Sequence, residues 1–232
     1  MRARAYARAV CLLLALALVS LLAADVAGAE QKQLRAADQA TAERDLLKRS
    51  DLSASVDWTG GKLTLDSGQL SCSGYRPNGS GLVETGAAGD KFSSTGITIS
   101  DQVEILATTR MVATDAQRTF TGAVVPCLRS SLARTLGVHG VVLSVRQIPF
   151  PRLAQYVHAY RALYDVKVDG KTFPVIFDII CVGAARTEMT LTVNANLPAD
   201  LRSGESDVSH LDLLATELLV QRAFPVSGPL SA

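Results

Sequence analysis

YRALYDVKVDGKTFPVIFDIICV, residues Tyr160 to Val182, is the stretch whose reading decides the fold. Asp169-Gly170 in its middle is a two-residue type I′ hairpin signal, because both central positions of that turn need a positive φ. The runs on either side are rich in Val, Ile, Tyr and Phe, the residues that fit a pleated, half-buried surface. A turn at these two residues makes the numbers of facing residues sum to 339. One face then pairs Val166 with Phe173, Tyr164 with Val175, Ala162 with Phe177 and Tyr160 with Ile179. The other pairs Lys167 with Thr172 and Arg161 with Asp178, an opposite-charge match that supports the register. Pro174, opposite Asp165, has no N–H to give and fits only near an edge or a strand end.

Working outward, Val141 to Ile148, Gln155 to Val168, Thr172 to Val182 and Thr187 to Ala195 read as four successive strands. A four-residue connection after the third would set Glu188, Thr190 and Thr192 beside Ile179 and Phe177. A connection of three or five residues sets Met189, Leu191 and Val193 there, and burial favours the odd length. The meander then has one apolar face, and Arg161, Asp165 and Asp178 on the other read as a solvated charge cluster. Ile97 to Ala107 alternates as a further strand, and Leu63 to Ser73 holds short strand-like pieces.

Gln33 to Lys48 reads as a helix with Leu34, Ala37, Ala40, Leu46 and Leu47 as its apolar stripe. Thr114 or Asp115 caps a second, which runs to about Leu136 and stops at Gly137. Pro126 inside it predicts a kink or two shorter helices. Asp207 to Ala223 is an amphipathic helix with Leu211, Leu214, Leu218 and Leu219 on one side. Gly74 to Gly96, loaded with Gly, Ser, Asn and Pro, reads as a long surface loop. The fold class that follows is an α+β two-layer sandwich. Its antiparallel sheet is a meander of about four strands plus one or two more, covered by two or three helices.

The N-terminus carries Arg2, Arg4 and Arg8, then an apolar run from Val10 to Ala24, then Ala27-Gly28-Ala29. This order of basic, apolar and small-residue segments predicts a secretory signal peptide over residues 1–29, cleaved after Ala29, with an uncleaved anchor as the alternative. The apolar run is shorter than the roughly 20 residues of a membrane-spanning helix. Cys11 sits at the beginning of that run rather than at its end, so lipid attachment is not expected. The expected organisation is a signal over 1–29, a helical lead-in over 30–45, one domain over 46–225 and a tail over 226–232. The whole chain has 23 basic and 22 acidic residues; without Arg2, Arg4, Arg8 and Asp25 the balance is 20 against 21. Neither sign dominates, so nothing favours nucleic acid or an anionic membrane surface as partner. After signal cleavage no stretch is left that would hold the chain stably in a membrane.

Three cysteines remain in the exported chain: Cys72, Cys127 and Cys181. Cys181 falls in the middle of an apolar strand, whereas Cys72 lies in a turn-rich region and Cys127 in a helical one. A Cys72–Cys127 disulfide is therefore expected, worth about 3–4 kcal/mol, although spacing alone leaves the other two pairings open.

The motifs of the common enzyme classes are missing: H-E-x-x-H, C-x-x-C, a Walker loop, G-x-G-x-x-G and G-x-S-x-G. No cofactor or metal site and no catalytic residue is expected. In the hairpin register, His158 lies opposite Cys181. A histidine there can activate a thiol or share a metal with it, but the plain reading is a small core residue beside a satisfied histidine. Tyr156, Tyr160 and Tyr164 recur on the same face as His158. These four are the candidate ligand-binding residues, able to line an apolar pocket with their polar ends towards a guest. For the tyrosines the alternative is ordinary core packing along the buried side of a strand.

The leader, the helix around Val125-Pro126-Cys127-Leu128 and the run from Tyr160 to Val182 with its Asp169-Gly170 turn carry a resemblance. In element order from about Leu46 to Ala223, the chain resembles the secreted sensor-type domains of actinobacterial cell envelopes, such as the PknH-like extracellular domain. It is also similar to LpqN-type lipoproteins with a PsbP/Mog1-like α/β sandwich. It departs from them in having no kinase domain, no lipobox cysteine and an unpaired cysteine in a core strand. The resemblance implies a non-catalytic binding or sensing role in the envelope or outside the cell, for a small molecule or an envelope protein. It assigns no functional residue. The other roles open to the residues are an enzyme built on His158 and Cys181 or on the tyrosine pocket, and an envelope protein-interaction module.

Overall fold

The computed structural model describes residues 31–65, 70–197 and 201–224. The expected leader and the tail over 226–232 lie outside the described residues. In chain order the elements are β1 (Gln31–Lys32), α1 (Ala36–Asp45), β2 (Thr59–Lys62), β3 (Val83–Ser94), β4 (Ile97–Leu106), α2 (Thr109–Thr119) and α3 (Val124–Leu136). They continue with β5 (Gly140–Gln147), β6 (Tyr156–Val168), β7 (Lys171–Ala184), β8 (Thr187–Asn196) and α4 (Leu201–Ala223). Short 3₁₀ turns lie at Arg49–Asp51 and Gly137–His139.

The β6–β7 hairpin has the register that its turn demands, with Val168 facing Lys171, Arg161 facing Asp178, His158 facing Cys181 and Tyr156 facing Gly183. Asp169 and Gly170 both have positive φ, 50° and 75°. Pro174 sits just past the end of the β7–β8 ladder, where its carbonyl accepts from Leu197 N at 2.9 Å. The strands form one open sheet of order β3-β4-β8-β7-β6-β5, antiparallel throughout. β1 and β2 both add to the free side of β3, β1 in parallel.

The sandwich is α+β, but the sheet is larger than expected, with eight strands, and both of its faces are covered. On one face α1 and α4 pack over Ile99, Val103, Ile176, Ile180, Met189, Leu191 and Val193, with Leu47 from just after α1 and Leu219 from α4. On the other, α3 sets Leu128 and Leu132 against Val145, Tyr160 and Ala162. Leu136 closes over Tyr164, Val166 and Val175 beside them.

Four expectations change for this reason. First, the β7–β8 connection is even, a two-residue turn at Ala185-Arg186 between paired Ala184 and Thr187. Met189, Leu191 and Val193 therefore join Val182, Ile180 and Asp178 on the α1/α4 face, while Thr190 and Thr192 stand beside Cys181 and Ile179. With helices on both faces, the single-apolar-face premise behind the odd loop no longer holds.

Second, Arg161 and Asp178 are not solvated: they are 4 % and 0 % exposed, beneath α4. Arg161 Nε donates to Asp178 Oδ1 at 2.9 Å and Nη2 donates to Asp178 Oδ2 at 2.5 Å. Asp212 of α4 lies 3.6 Å from the same guanidinium. Asp165 remains half-buried at the sheet's far end.

Third, the Gly74–Gly96 segment is a loop only as far as Leu82; its second half is the long strand β3. Its small residues serve a close helix approach, since a Cβ on Gly86 would stand 2.5 Å from the Asp38 carbonyl of α1.

Fourth, the helices are rearranged. The first spans Ala36–Asp45 and leaves Leu34 exposed. The expected long helix is two: α2 capped by Thr108, whose Oγ1 accepts from Met111 N at 3.3 Å, and α3. Pro126 occupies the first turn of α3, where a missing N–H costs nothing.

Candidate functional site

Cys72 and Cys127 form a disulfide, and Cys181 is the free cysteine among the described residues. The disulfide ties the segment 70–82 to α3. Leu70, Tyr75 and Pro77 of that segment make one wall of a cavity of about 180 Å³. Its floor is two adjacent rows of the ladder across β4, β8, β7 and β6. One row runs Glu104, Glu188, Gly183, Tyr156; the next runs Gln102, Thr190, Cys181, and continues beyond the cavity to His158. Asp115, Ala116 and Thr119 of α2, with Phe120 after it, form the roof.

The cavity's polar side is acidic. Glu104, Asp115 and Glu188 all line it, and its lining contains no Lys or Arg. Burial, then the neighbouring Glu84 and Asp115 carboxyls, push Glu104 up to about 7, against an acceptor bond from Gln102 Nε2. Burial also raises Asp115, whose carboxyl is bonded to Thr119 Oγ1 at 3.2 Å and to Glu188. Two carboxyls in hydrogen-bond contact share a proton more readily than they both ionise.

The expected site residues separate. Tyr156 lines the cavity. His158 lies in the same ladder row as Cys181 but outside the lining, and its ring stacks on Phe120 with centroids 4.0 Å apart and planes 16° from parallel. Burial lowers its pKa, so it is neutral at pH 7. Among the described residues no hydrogen bond joins it to Cys181. Cys181 instead accepts from Thr190 Oγ1 at 3.9 Å, and burial, aided by the carboxyls around it, pushes its thiol up to about 12. A thiol in that state is not a nucleophile near neutral pH. Tyr160 and Tyr164 are core residues: Tyr160 packs under α3, and Tyr164 accepts from Asn194 Nδ2 at 3.0 Å.

Sequence reasoning missed Glu104, Asp115 and Glu188. The signal for Glu104 and Glu188 was present as two polar stripes, Thr98, Ser100, Gln102, Glu104 and Glu188, Thr190, Thr192, Asn194, that register side by side. Alternating polar residues on a strand read as solvent-facing by default, and nothing local says that α2 covers one end of the pair.

No helix among the described residues is long and apolar enough to cross a membrane. No protein-family model matches the chain, and no curated protein sequence matches it. Among solved structures, the chain is similar over 75% of its length to 93% of an uncharacterized protein from Mycobacterium smegmatis, at 10% identity and a TM-score of 0.40. It is similar over 55% to 79% of a Pseudomonas aeruginosa protein of unknown function, at 13% identity and a TM-score of 0.30. The Ran-binding protein Mog1p from Saccharomyces cerevisiae matches 58% of this chain with 77% of its own, at 8% identity and a TM-score of 0.28. With scores this low, no functional argument rests on these likenesses.

Proposed function

We propose that this chain is an exported, non-catalytic binding domain that takes a small organic cation in the cavity under α2. One observation carries the reading: three carboxyls line one partly open pocket whose lining holds no Lys or Arg. Burial favours the protonated form of Glu104 and Asp115, although Lys32 and Arg118 outside the lining act against it. An ammonium group supplies a positive charge and donates to the same oxygens, while Tyr75, Phe120 and Tyr156 offer apolar and π surface to the rest of the guest. At about 180 Å³ the cavity is below the roughly 300–1,000 Å³ of drug-sized sites, which limits the guest to a small amine.

The reading predicts proton release on binding. Glu104 holds its proton up to about pH 7 in the empty cavity, and a bound cation favours its carboxylate. Affinity for an amine therefore rises with pH through 7. Native mass spectrometry of the secreted protein, followed by calorimetry with matched amine, alcohol and carboxylate series at pH 6 and pH 8, tests it. Amines should bind selectively, several-fold tighter at pH 8, and Glu104→Gln should weaken the pH dependence, leaving the part due to Asp115. Equal binding of the three series, or none of any, would sink the proposal. Export is tested by whether the mature chain recovered outside the cell begins at Glu30.

A second reading, an envelope protein-interaction module, draws on the other end of the sheet. β5 is an edge strand, and Val141 and Leu143 on it are exposed, as is Val138 just before it. An edge of this kind is a template for strand pairing. Val141→Lys, which should release a co-purifying partner if this reading holds, tests it.

A further inference from the structure

We infer that the disulfide-anchored segment 70–82 is a redox-sensitive strap: reduction of Cys72–Cys127 releases its first half from α3 and widens the opening of the cavity to solvent. This rests on the cavity being the binding site. The argument is the distribution of tethers. The second half of the strap is held to α2 independently of the disulfide, because Arg118 Nη1 donates to the carbonyls of Asn78 and Ser80 at 2.7 and 2.8 Å. In the first half, the Cys72 and Tyr75 backbones bond only each other, at 2.9 and 3.0 Å. Among the described residues, no hydrogen bond from residues 70–74 reaches a helix or strand. What joins this half to the rest is the disulfide, the Tyr75 hydroxyl donating to Thr119 O at 2.8 Å, and apolar packing against α3. Leu70 and Tyr75, which form the cavity wall, lie on either side of Cys72.

A dithiol is the class of reductant the step requires. It delivers two electrons and two protons: the Sγ–Sγ bond breaks, Cys72 and Cys127 become thiols, and the dithiol closes into its own disulfide. The first attack falls on Cys72, which is half-buried, since Cys127 is 1 % exposed. The strap then keeps one hydrogen bond and its packing, and the Arg118 contacts act as its hinge.

Cys181 in the cavity floor is a built-in reporter, because it is the one thiol of the exported chain left in a Cys72→Ser/Cys127→Ser variant. Its rate of labelling by N-ethylmaleimide should rise at least tenfold in that variant. In Leu219→Ala, which weakens the opposite face with the disulfide intact, it should not. Unchanged labelling in the double variant, or an equal rise in Leu219→Ala, overturns the strap. Should the double variant fail to fold, wild-type protein treated with dithiothreitol is followed by amide hydrogen exchange. Protection should be lost at positions 72 and 75 before it is lost in β6, β7 and β8; simultaneous loss overturns the proposal. Neither readout uses a ligand. A strap that opens in a protein that binds no amine therefore refutes the proposed function alone, and amine binding behind a strap that does not open refutes this inference alone.

Discussion

Asp212→Asn should make the protein more stable above neutral pH, and the reason lies in a shortage of positive charge under α4. Arg161 is the base buried there, and it is already bonded to both oxygens of Asp178 and to Ser209 Oγ at 2.9 Å. Asp212 is 0 % exposed, 3.6 Å from the guanidinium, and both its oxygens lack a donor. Burial, then the Asp178 carboxylate, push it up to about 9. The folded protein thus binds a proton at pH 7 that the unfolded chain, titrating near 3.8, has released. A raised carboxyl pKa contributes its stability in full below the unfolded value and loses it as pH climbs towards the folded one. The loss is at most about 1.4 kcal/mol per pH unit, so between pH 6 and pH 8 the wild type should lose on the order of 2–3 kcal/mol through this residue. Asparagine cannot ionise, and its amide can donate to Asp178 as the protonated acid does. Urea unfolding of both proteins at pH 6 and pH 8 measures the difference. Asp101 and Glu104, each raised to about 7, add slope to both proteins and cancel in the comparison. If the two lose the same stability over that range, Asp212 is already ionised in the fold and the argument fails.

Two other perturbations follow from packing and connectivity. Gly86→Ala puts a methyl 2.5 Å from the Asp38 carbonyl; α1 must lift from β3, lowering stability by about 1–3 kcal/mol in chemical denaturation. A loss below about 0.5 kcal/mol would mean that the helix does not sit that close. Removing the disulfide with Cys72→Ser/Cys127→Ser frees a 55-residue separation in the unfolded chain, a loss of about 4 kcal/mol on the loop-entropy account. Thermal unfolding unchanged from wild type would show that the bond is not formed in the secreted protein.

Much of the sheet was legible in the sequence because its controlling signals are local. Asp169-Gly170 sets the β6–β7 register through two consecutive positive φ values, and every facing pair down to Tyr156 and Gly183 follows from it. The Cys72–Cys127 pairing was favoured because Cys181 falls within a strand, but spacing left the other two pairings open. β3 was not legible: Gly86, Ala87, Ala88 and Gly89 resemble turn material, and their smallness is explained only by α1 lying on top of them. Arg161 and Asp178 were paired correctly but placed in solvent. A charged pair on a strand is read as exposed unless something is known to cover it, and α4, which covers it, follows β7 by many residues.

The site was hidden by one further step of the same kind, at the turn between β7 and β8. A two-residue connection there puts Ala185 at φ 50°, a left-handed value that a non-glycine residue adopts at a cost. Local preference therefore argues against it. What holds it is Arg186, whose Nε donates to Leu106 O at 2.8 Å and whose Nη2 donates to Asp38 Oδ2 at 2.6 Å and to Thr85 Oγ1 at 3.1 Å. The Leu106 amide returns a bond to Arg186 O at 2.7 Å. One side chain thus ties the turn to α1, β3 and β4, elements 80 and more residues away. Because a one-residue slip exchanges the two faces of a strand, those contacts decide that Glu188 and Thr190 face α2 and that Met189 and Leu191 face the core. With the odd turn Glu188 and Thr190 would leave the cavity, and Glu104 and Asp115 would lose the third carboxyl. The chemistry of the cavity is in this sense a consequence of Arg186, which touches none of it.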